Sequence, residues 1–254
     1  MHDLKVAFLI NLDRRPDRWD EFTKKSSALE IPIERFSAVD GQALAESELR
    51  SPASIAACWM SHQEVARKFL ESGAEYCLVL EDDLALTQGT IGALNELWNS
   101  DFQDLDLLQI GFCVSHNRLS NRVVYKRQIG VTVFLRNLRL LQIPLTRQAL
   151  KSAYGYKIRY LENIKLIVAE NSFELGTHAY LISRKFAKTM ISFNLPVYLP
   201  ADLAMMEIVK TAKFQSFRLI QSLIDQSESP SSISNASANS LEAKISKTSM
   251  EGSS

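Results

Sequence analysis

The sequence predicts an α/β fold: a mostly parallel central sheet with helices on both faces. Three observations carry this. Apolar runs of strand length recur ("KVAFLINL", "YCLVLEDD", "LDLLQIGF") without the polar alternation of a half-exposed sheet. Helix-period segments separate them, as crossovers between parallel strands require. Polar clusters follow the first three strands, at the strand ends where such sheets bind ligands.

The elements follow in order. Lys5 to Leu12 is the first strand, bounded by charge. In "DRRPDRWDEFTKKSSALE", Pro16 suits a first helical turn, and Trp19, Phe22 and Leu29 share one helical face. "IERFSAVDG" is a second strand ending at the turn signal Asp40-Gly41. Ile55 to Ser72 reads as a helix closed by Gly73, "YCLVLEDD" as the third strand, Ile91 to Trp98 as a helix and residues 105–112 as the fourth strand. From about residue 114 the pattern weakens and Arg and Lys interleave with apolar residues. A strand over 176–183, a helix from Lys185 to Phe193, a helix after Pro200 and a last strand in "RLIQSLI" complete the domain, expected to span 1–225 with 114–170 as a variable basic insertion. Serine dominates 226–254, which is expected to be a disordered tail.

The 254 residues carry formal net charge zero, which gives no reason to expect a nucleic-acid partner. The zero hides an asymmetry: residues 114–170 hold eleven Lys or Arg against Glu162 and Glu170. Interleaved with apolar residues, these cations suit peripheral contact with an anionic membrane, solvation of an irregular subdomain, or recognition of phosphorylated sugars of the acceptor. Cys58, Cys77 and Cys113 are odd in number and lack metal-ligand spacing, as in a reducing compartment. No run approaches the roughly 18 apolar residues of a membrane span, and the apolar part of the N-terminus is too short for a signal peptide. The expected location is cytoplasmic, peripheral on the inner face of the cytoplasmic membrane.

Glu81-Asp82-Asp83 closes a buried strand with three like charges. Side chains alternate along a strand, so Glu81 and Asp83 share a side; hard oxygen ligands there suit Mg²⁺ or Mn²⁺, and an acidic turn capping the next helix explains them equally well. Arg14, Arg15 and Arg18 match a diphosphate or a solvated helix start. His62 reads as a core or supporting group, and His178 as a metal ligand or a packing residue. Asp202, two residues after Pro200, has the residue type of a first-turn acid.

Six stretches in order resemble glycosyltransferase family 25, the bacterial lipopolysaccharide and lipooligosaccharide glycosyltransferases: "FLINLDRRPDRW", "RFSAVDG", "AACWMSHQEV", "LVLEDD", "GTHAYLISRKFAKTM" and "PADLAMM". "LIDQSESPSSI" is a weaker echo, and the resemblance runs from about residue 4 to 233. It implies a GT-A-like nucleotide-diphosphosugar transferase fold and inverting transfer of a sugar, often galactose from UDP-galactose, to a lipid-linked glycan acceptor. Under it, Glu81, Asp83 and His178 are expected to hold Mn²⁺ or Mg²⁺. Asn11, Arg14, Arg18, Asp40, Ser61, His62 and Asp82 are expected at the UDP-sugar, and Asp202 as the catalytic base. Ala57 departs from the glycine common in the family, and 114–170 carries no recognised motif. Two rivals stand beside this reading: a sugar-nucleotide nucleotidyltransferase, which would carry a glycine-rich loop where Asp13 to Asp17 has no glycine, and a catalytically silent glycan-binding homologue.

Overall fold

The computed structural model describes residues 4–45, 50–113, 130–154, 156–211 and 213–226. Arg118, Arg122, Lys126 and Arg127 of the basic segment, and the serine-rich tail, lie outside the described residues. The strands are β1 (Lys5–Asn11), β2 (Ile33–Ser37), β3 (Tyr76–Glu81), β4 (Leu107–Gly111), β5 (Lys157–Leu161), β6 (Leu166–Glu170), β7 (Ala179–Ser183) and β8 (Ser216–Leu219). The main helices are α1 (Pro16–Lys25), α2 (Ala53–Glu71), α3 (Gln88–Trp98), α4 (Pro144–Tyr154), α5 (Arg184–Ser192) and α6 (Ala201–Thr211).

The eight strands form one sheet in the order β2-β1-β3-β7-β4-β8-β6-β5. β1 pairs parallel with β2 and β3, and β4 parallel with β8. β7 lies antiparallel between β3 and β4, and β6 runs antiparallel to both β8 and β5. Six strands therefore share one direction, which β6 and β7 oppose. The fold class is the one the sequence predicts. The order adds what the apolar runs did not reveal: β3 and β4 are not neighbours, because a strand from much later in the chain separates them.

Side-chain alternation sends successive residues of each central strand to opposite faces. On one face Phe8, Val79 and Tyr180 pack under α2, α5 and α6 with Trp59, Phe186 and Met205. On the other, Leu9, Leu78 and Leu181 pack with Phe22 of α1 and Leu94 and Leu97 of α3. Helix starts follow local chemistry. Pro16 opens α1 with Asp17 in its first turn and Lys24 and Lys25 in its last, each favoured by the helix dipole. The Thr87 and Ser183 side chains accept from the backbone N–H groups of Thr90 and Phe186, capping α3 and α5.

The basic segment extends the same sheet. Its hairpin β5–β6 and α4 enclose a separate small core of Leu141, Leu150, Ile158, Ile167 and Ile220. No helix among the described residues is long and apolar enough to cross a membrane.

Candidate active site

The carboxyl ends of β1 and β3 stand side by side, so Asn11 and the acidic triplet meet on one rim, and the triplet is divided among three environments. Asp82 turns toward α1. Its Oδ1 accepts from Arg18 Nη1 at 2.8 Å and its Oδ2 from Asn11 Nδ2 at 2.7 Å. Arg18 and Asp82 side chains are only 8% and 10% exposed, so this is a desolvated, hydrogen-bonded pair rather than a surface one. Asn11 is itself buried, its Oδ1 accepting from Arg35 Nε at 2.8 Å.

Glu81 turns toward α2. Thr177 Oγ1 donates to Glu81 Oε1 at 2.6 Å, and His62 Nε2 lies 3.5 Å from the same oxygen. His62 Nδ1 sits 2.8 Å from the Tyr180 hydroxyl. An ionised carboxylate only accepts, so the Nε2 side of His62 presents the proton to Glu81. Burial alone would raise the Glu81 carboxyl, but His62 and Thr177 overcome it and hold the group below its ordinary range. Burial pushes the Tyr180 phenol well up, so it remains a hydrogen-bond donor.

Asp83 is left with little compensation. Gln226 Nε2 donates to its Oδ2 at 3.3 Å, while Oδ1 is buried without a hydrogen-bond partner. Burial, reinforced by the charges of Glu81 and Asp82, raises its carboxyl to about 7. A second buried atom without a partner is His178 Nδ1. His178 Nε2 donates to the Ile224 carbonyl at 2.9 Å, and burial lowers the ring's pKa, so Nδ1 carries a lone pair. Each of these two atoms keeps a lone pair that no hydrogen bond occupies. Among the described residues no three His, Cys, Asp or Glu side chains are placed to hold a metal ion by themselves. Mg²⁺ or Mn²⁺ at such a rim would need substrate phosphate and water to complete its shell around one or two carboxylates.

Asp202 opens α6. Leu203 N donates to its Oδ1 at 2.8 Å and Gly176 N to its Oδ2 at 3.4 Å, which places it beside the Thr177–His178 turn. Burial raises both the Cys58 and Cys113 thiols, and the charges of Glu81, Asp83 and Asp202 add to it in each case. Gly176, which reaches Asp202, adjoins Thr177, which reaches Glu81, so Asp202 lies close to the end of β3. Asp40 stands on the same side of the sheet, half-exposed, with Arg14 Nε donating to it at 2.9 Å. The Gln42 amide and Arg14 together hold its carboxyl below the usual range.

Of the residues expected at the donor, Arg14 and Asp40 are accessible. Asn11, Arg18, Ser61 and His62 are buried, and Asp82 is nearly so. Ser61 accepts from Val39 N at 2.9 Å and so fixes the turn that carries Asp40. These five hold the rim in shape from behind. Thr177, Tyr180 and Gln226 are site residues that the sequence reading missed. Tyr180 pairs with Val79, two residues before Glu81, so a signal existed only in the β3–β7 register.

Compared with known protein families, residues 5–205 match glycosyltransferase family 25 (LPS biosynthesis protein). The chain belongs to glycosyltransferase family 25. It is similar to a "Glycosyltransferase 25 family member" of Aedes aegypti, 30% identical over a match covering 30% of this chain and 16% of that protein. It is also similar to "Procollagen galactosyltransferase 2" of Homo sapiens, 31% identical over 41% of this chain and 20% of that protein. The mouse protein of the same name is 34% identical over 30% of this chain and 15% of its own length. The match thus spans a fifth or less of each of these relatives.

Proposed function

We propose that this family 25 chain transfers galactose from UDP-galactose to a hydroxyl of a lipopolysaccharide-type glycan, with inversion at the anomeric carbon and with Mn²⁺ or Mg²⁺ bound. The observation that carries the reading is the buried Asp83 Oδ1, a carboxylate oxygen without a partner at the carboxyl edge of a nucleotide-type sheet. Galactose as the donor sugar is supported by the names of the human and mouse relatives.

Asp83, with the His178 Nδ1 lone pair as a further donor, would hold the cation, which would offset negative charge on the departing nucleoside diphosphate as a Lewis acid. The chain's own residues do the rest. His62 and Thr177 fix the Glu81 carboxylate, while Arg18 and Asn11 turn Asp82 away, so the rim presents one uncompensated acid instead of three. Asp40 and Arg14 remain exposed to meet the nucleoside and its phosphates. Asp202 takes the proton of the acceptor hydroxyl as that oxygen bonds to the anomeric carbon and the bond to the phosphate oxygen breaks. Oδ2 accepts a long contact from Gly176 N and keeps a second lone pair for that proton. Three free cysteines suit a reducing, cytoplasmic compartment.

Thermal shift with a panel of nucleotide sugars, with and without Mn²⁺, tests this reading. UDP-galactose should raise the melting temperature only when Mn²⁺ is present, and the same pair should release UDP slowly. Undiminished turnover in EDTA would overturn the metal assignment. Absence of any shift or turnover across the panel would favour the silent glycan-binding alternative.

A further inference from the structure

Five of the ten exposed large hydrophobic side chains among the described residues fall within fifteen positions: Val131, Phe134, Leu138, Ile143 and Leu145. Residues 130–137 are helical; 131 and 134, and 138 just past the helix end, follow an i, i+3, i+7 spacing. Val133 and Leu135 pack inward on the small core beneath α4 and β5, so the outward side belongs to the same unit. Phe134 is 62% exposed and Leu145 76%. Scattered singly, such residues would need no account; gathered in one short stretch of the chain they point to a contact surface.

The same unit carries a cleft of about 510 Å³, lined on α4 by Pro144, Arg147, Gln148 and Lys151, and on the hairpin by Lys157 and Glu170. Pro144 and Arg147 flank Leu145 in the chain. The single acid of the lining, Glu170, already faces Arg159 at 3.7 Å. The cleft is thus cationic and of a size that suits a small ligand. It also lies far from the acidic rim. β5 is five strands from β3, about 24 Å at ordinary strand spacing, and the Lys157–Glu170 pair sits at the end of the hairpin away from the rim.

We propose that this face attaches the protein to an anionic lipid surface: Phe134, Leu138, Ile143 and Leu145 enter the acyl boundary while Lys151, Lys157 and Arg147 receive a lipid phosphate. A soluble phosphorylated glycan would satisfy the cleft but leave the apolar side chains in water. An anionic lipid satisfies both, and each cation near such a surface adds attraction that salt screens. The attachment is independent of the proposed transfer reaction. It leaves the acidic rim, at the other side of the sheet, open to donor.

Co-sedimentation of the full chain with phosphatidylcholine vesicles, with and without phosphatidylglycerol, tests it. The protein should sediment with the anionic vesicles at low salt and not with the neutral ones. The double changes Phe134→Ser with Leu145→Ser, and Lys151→Glu with Lys157→Glu, should each lower the partition coefficient by roughly tenfold or more. All four side chains are exposed, so melting temperature and UDP-sugar turnover without lipid should stay as in the unaltered protein. Equal recovery in the supernatant with both vesicle types would overturn the proposal. So would undiminished binding of the Phe134/Leu145 variant, which would reduce the contact to charge alone. Saturable binding of glucose 6-phosphate without vesicle binding would assign the cleft to a soluble anionic glycan instead. Since sedimentation is read without donor, failure of the transfer reaction leaves each of these outcomes intact.

Discussion

Asp83 stands in a position unfavourable to its ionised form, and its titration gives that a sign. Its carboxyl is raised from 3.8 to about 7 by burial and by Glu81 and Asp82. Between those values the folded chain keeps a proton that the unfolded chain releases, so stability falls as pH rises from about 4 to about 7 and stays lowered above. Asp83→Asn removes this penalty. Without metal, the variant should melt several degrees above the unaltered protein at pH 8, a difference on the order of 2–4 kcal/mol at most, and close to it at pH 4. Its transferase turnover should be lost. Equal melting temperatures at pH 8 would mean that the carboxylate is well solvated and not poised for a cation. Asp202 is expected to behave differently, because among the described residues its oxygens serve two backbone N–H groups. Asp202→Asn should lower turnover at least about a hundredfold, the usual weight of a positioned base, while the donor dissociation constant moves by no more than a few-fold. If turnover survives within a few-fold, Asp202 is a helix-start residue and the base lies elsewhere.

At the scale of elements, β7 does most to build the site, and its place was the least legible part of the fold. The apolar runs of β1, β3 and β4 were readable because strands buried on both faces lose their polar alternation. Nothing local tells a strand which partner it will take. β7, entering antiparallel from residue 179, carries Tyr180 to His62 and draws Thr177 and His178 against Glu81, whose backbone N–H donates to the His178 carbonyl at 3.0 Å. The β5–β6 hairpin and α4 escaped notice for a different reason: their few apolar residues face a small private core, and the interleaved cations mask a five-residue alternation. The β4–β7 contact is tight enough to test. A Cβ on Gly111 would lie 2.6 Å from His178 Cδ2 and 2.7 Å from its Nε2, the atom that donates to Ile224. Gly111→Ala should therefore cost about 1–3 kcal/mol, an overpacking penalty, and lower the melting temperature by several degrees. It should also weaken Mn²⁺-dependent stabilisation, since His178 must shift. An unchanged melting temperature would show that the ring relocates freely and that β4 does not fix it.

Seen across the whole molecule, the site is gathered from the full length of the described chain, and its last contributor closes it. After β8, the segment Ser222–Gln226 returns across the carboxyl edge of the sheet. Leu223 N donates to the Ile110 carbonyl, Ala85 N to the Asp225 carbonyl and Phe112 N to Ser222 Oγ. Ile224 is fully buried and its carbonyl holds His178, while Gln226 reaches Asp83 and accepts from Cys113 Sγ at 3.2 Å. The sequence showed this return only as a faint echo in "LIDQSESPSSI", because its bonds are mostly backbone bonds that leave no mark on residue type. A pair of truncations separates the strap from the serine-rich residues beyond it. A chain ending at Gln226 should keep its melting temperature within a degree or two and its donor turnover, since 227–254 has few large apolar residues with which to build a core. A chain ending at Ile220 gives up the burial of Ile224, about 1.5–3 kcal/mol, and several hydrogen bonds of about 1 kcal/mol each. It should melt roughly 10 °C lower and lose turnover at temperatures where it is still folded, because His178 and Asp83 have lost their fixed partners. Full turnover of the shorter chain below its melting temperature would show that β3, β4 and β7 orient the acidic rim without the strap.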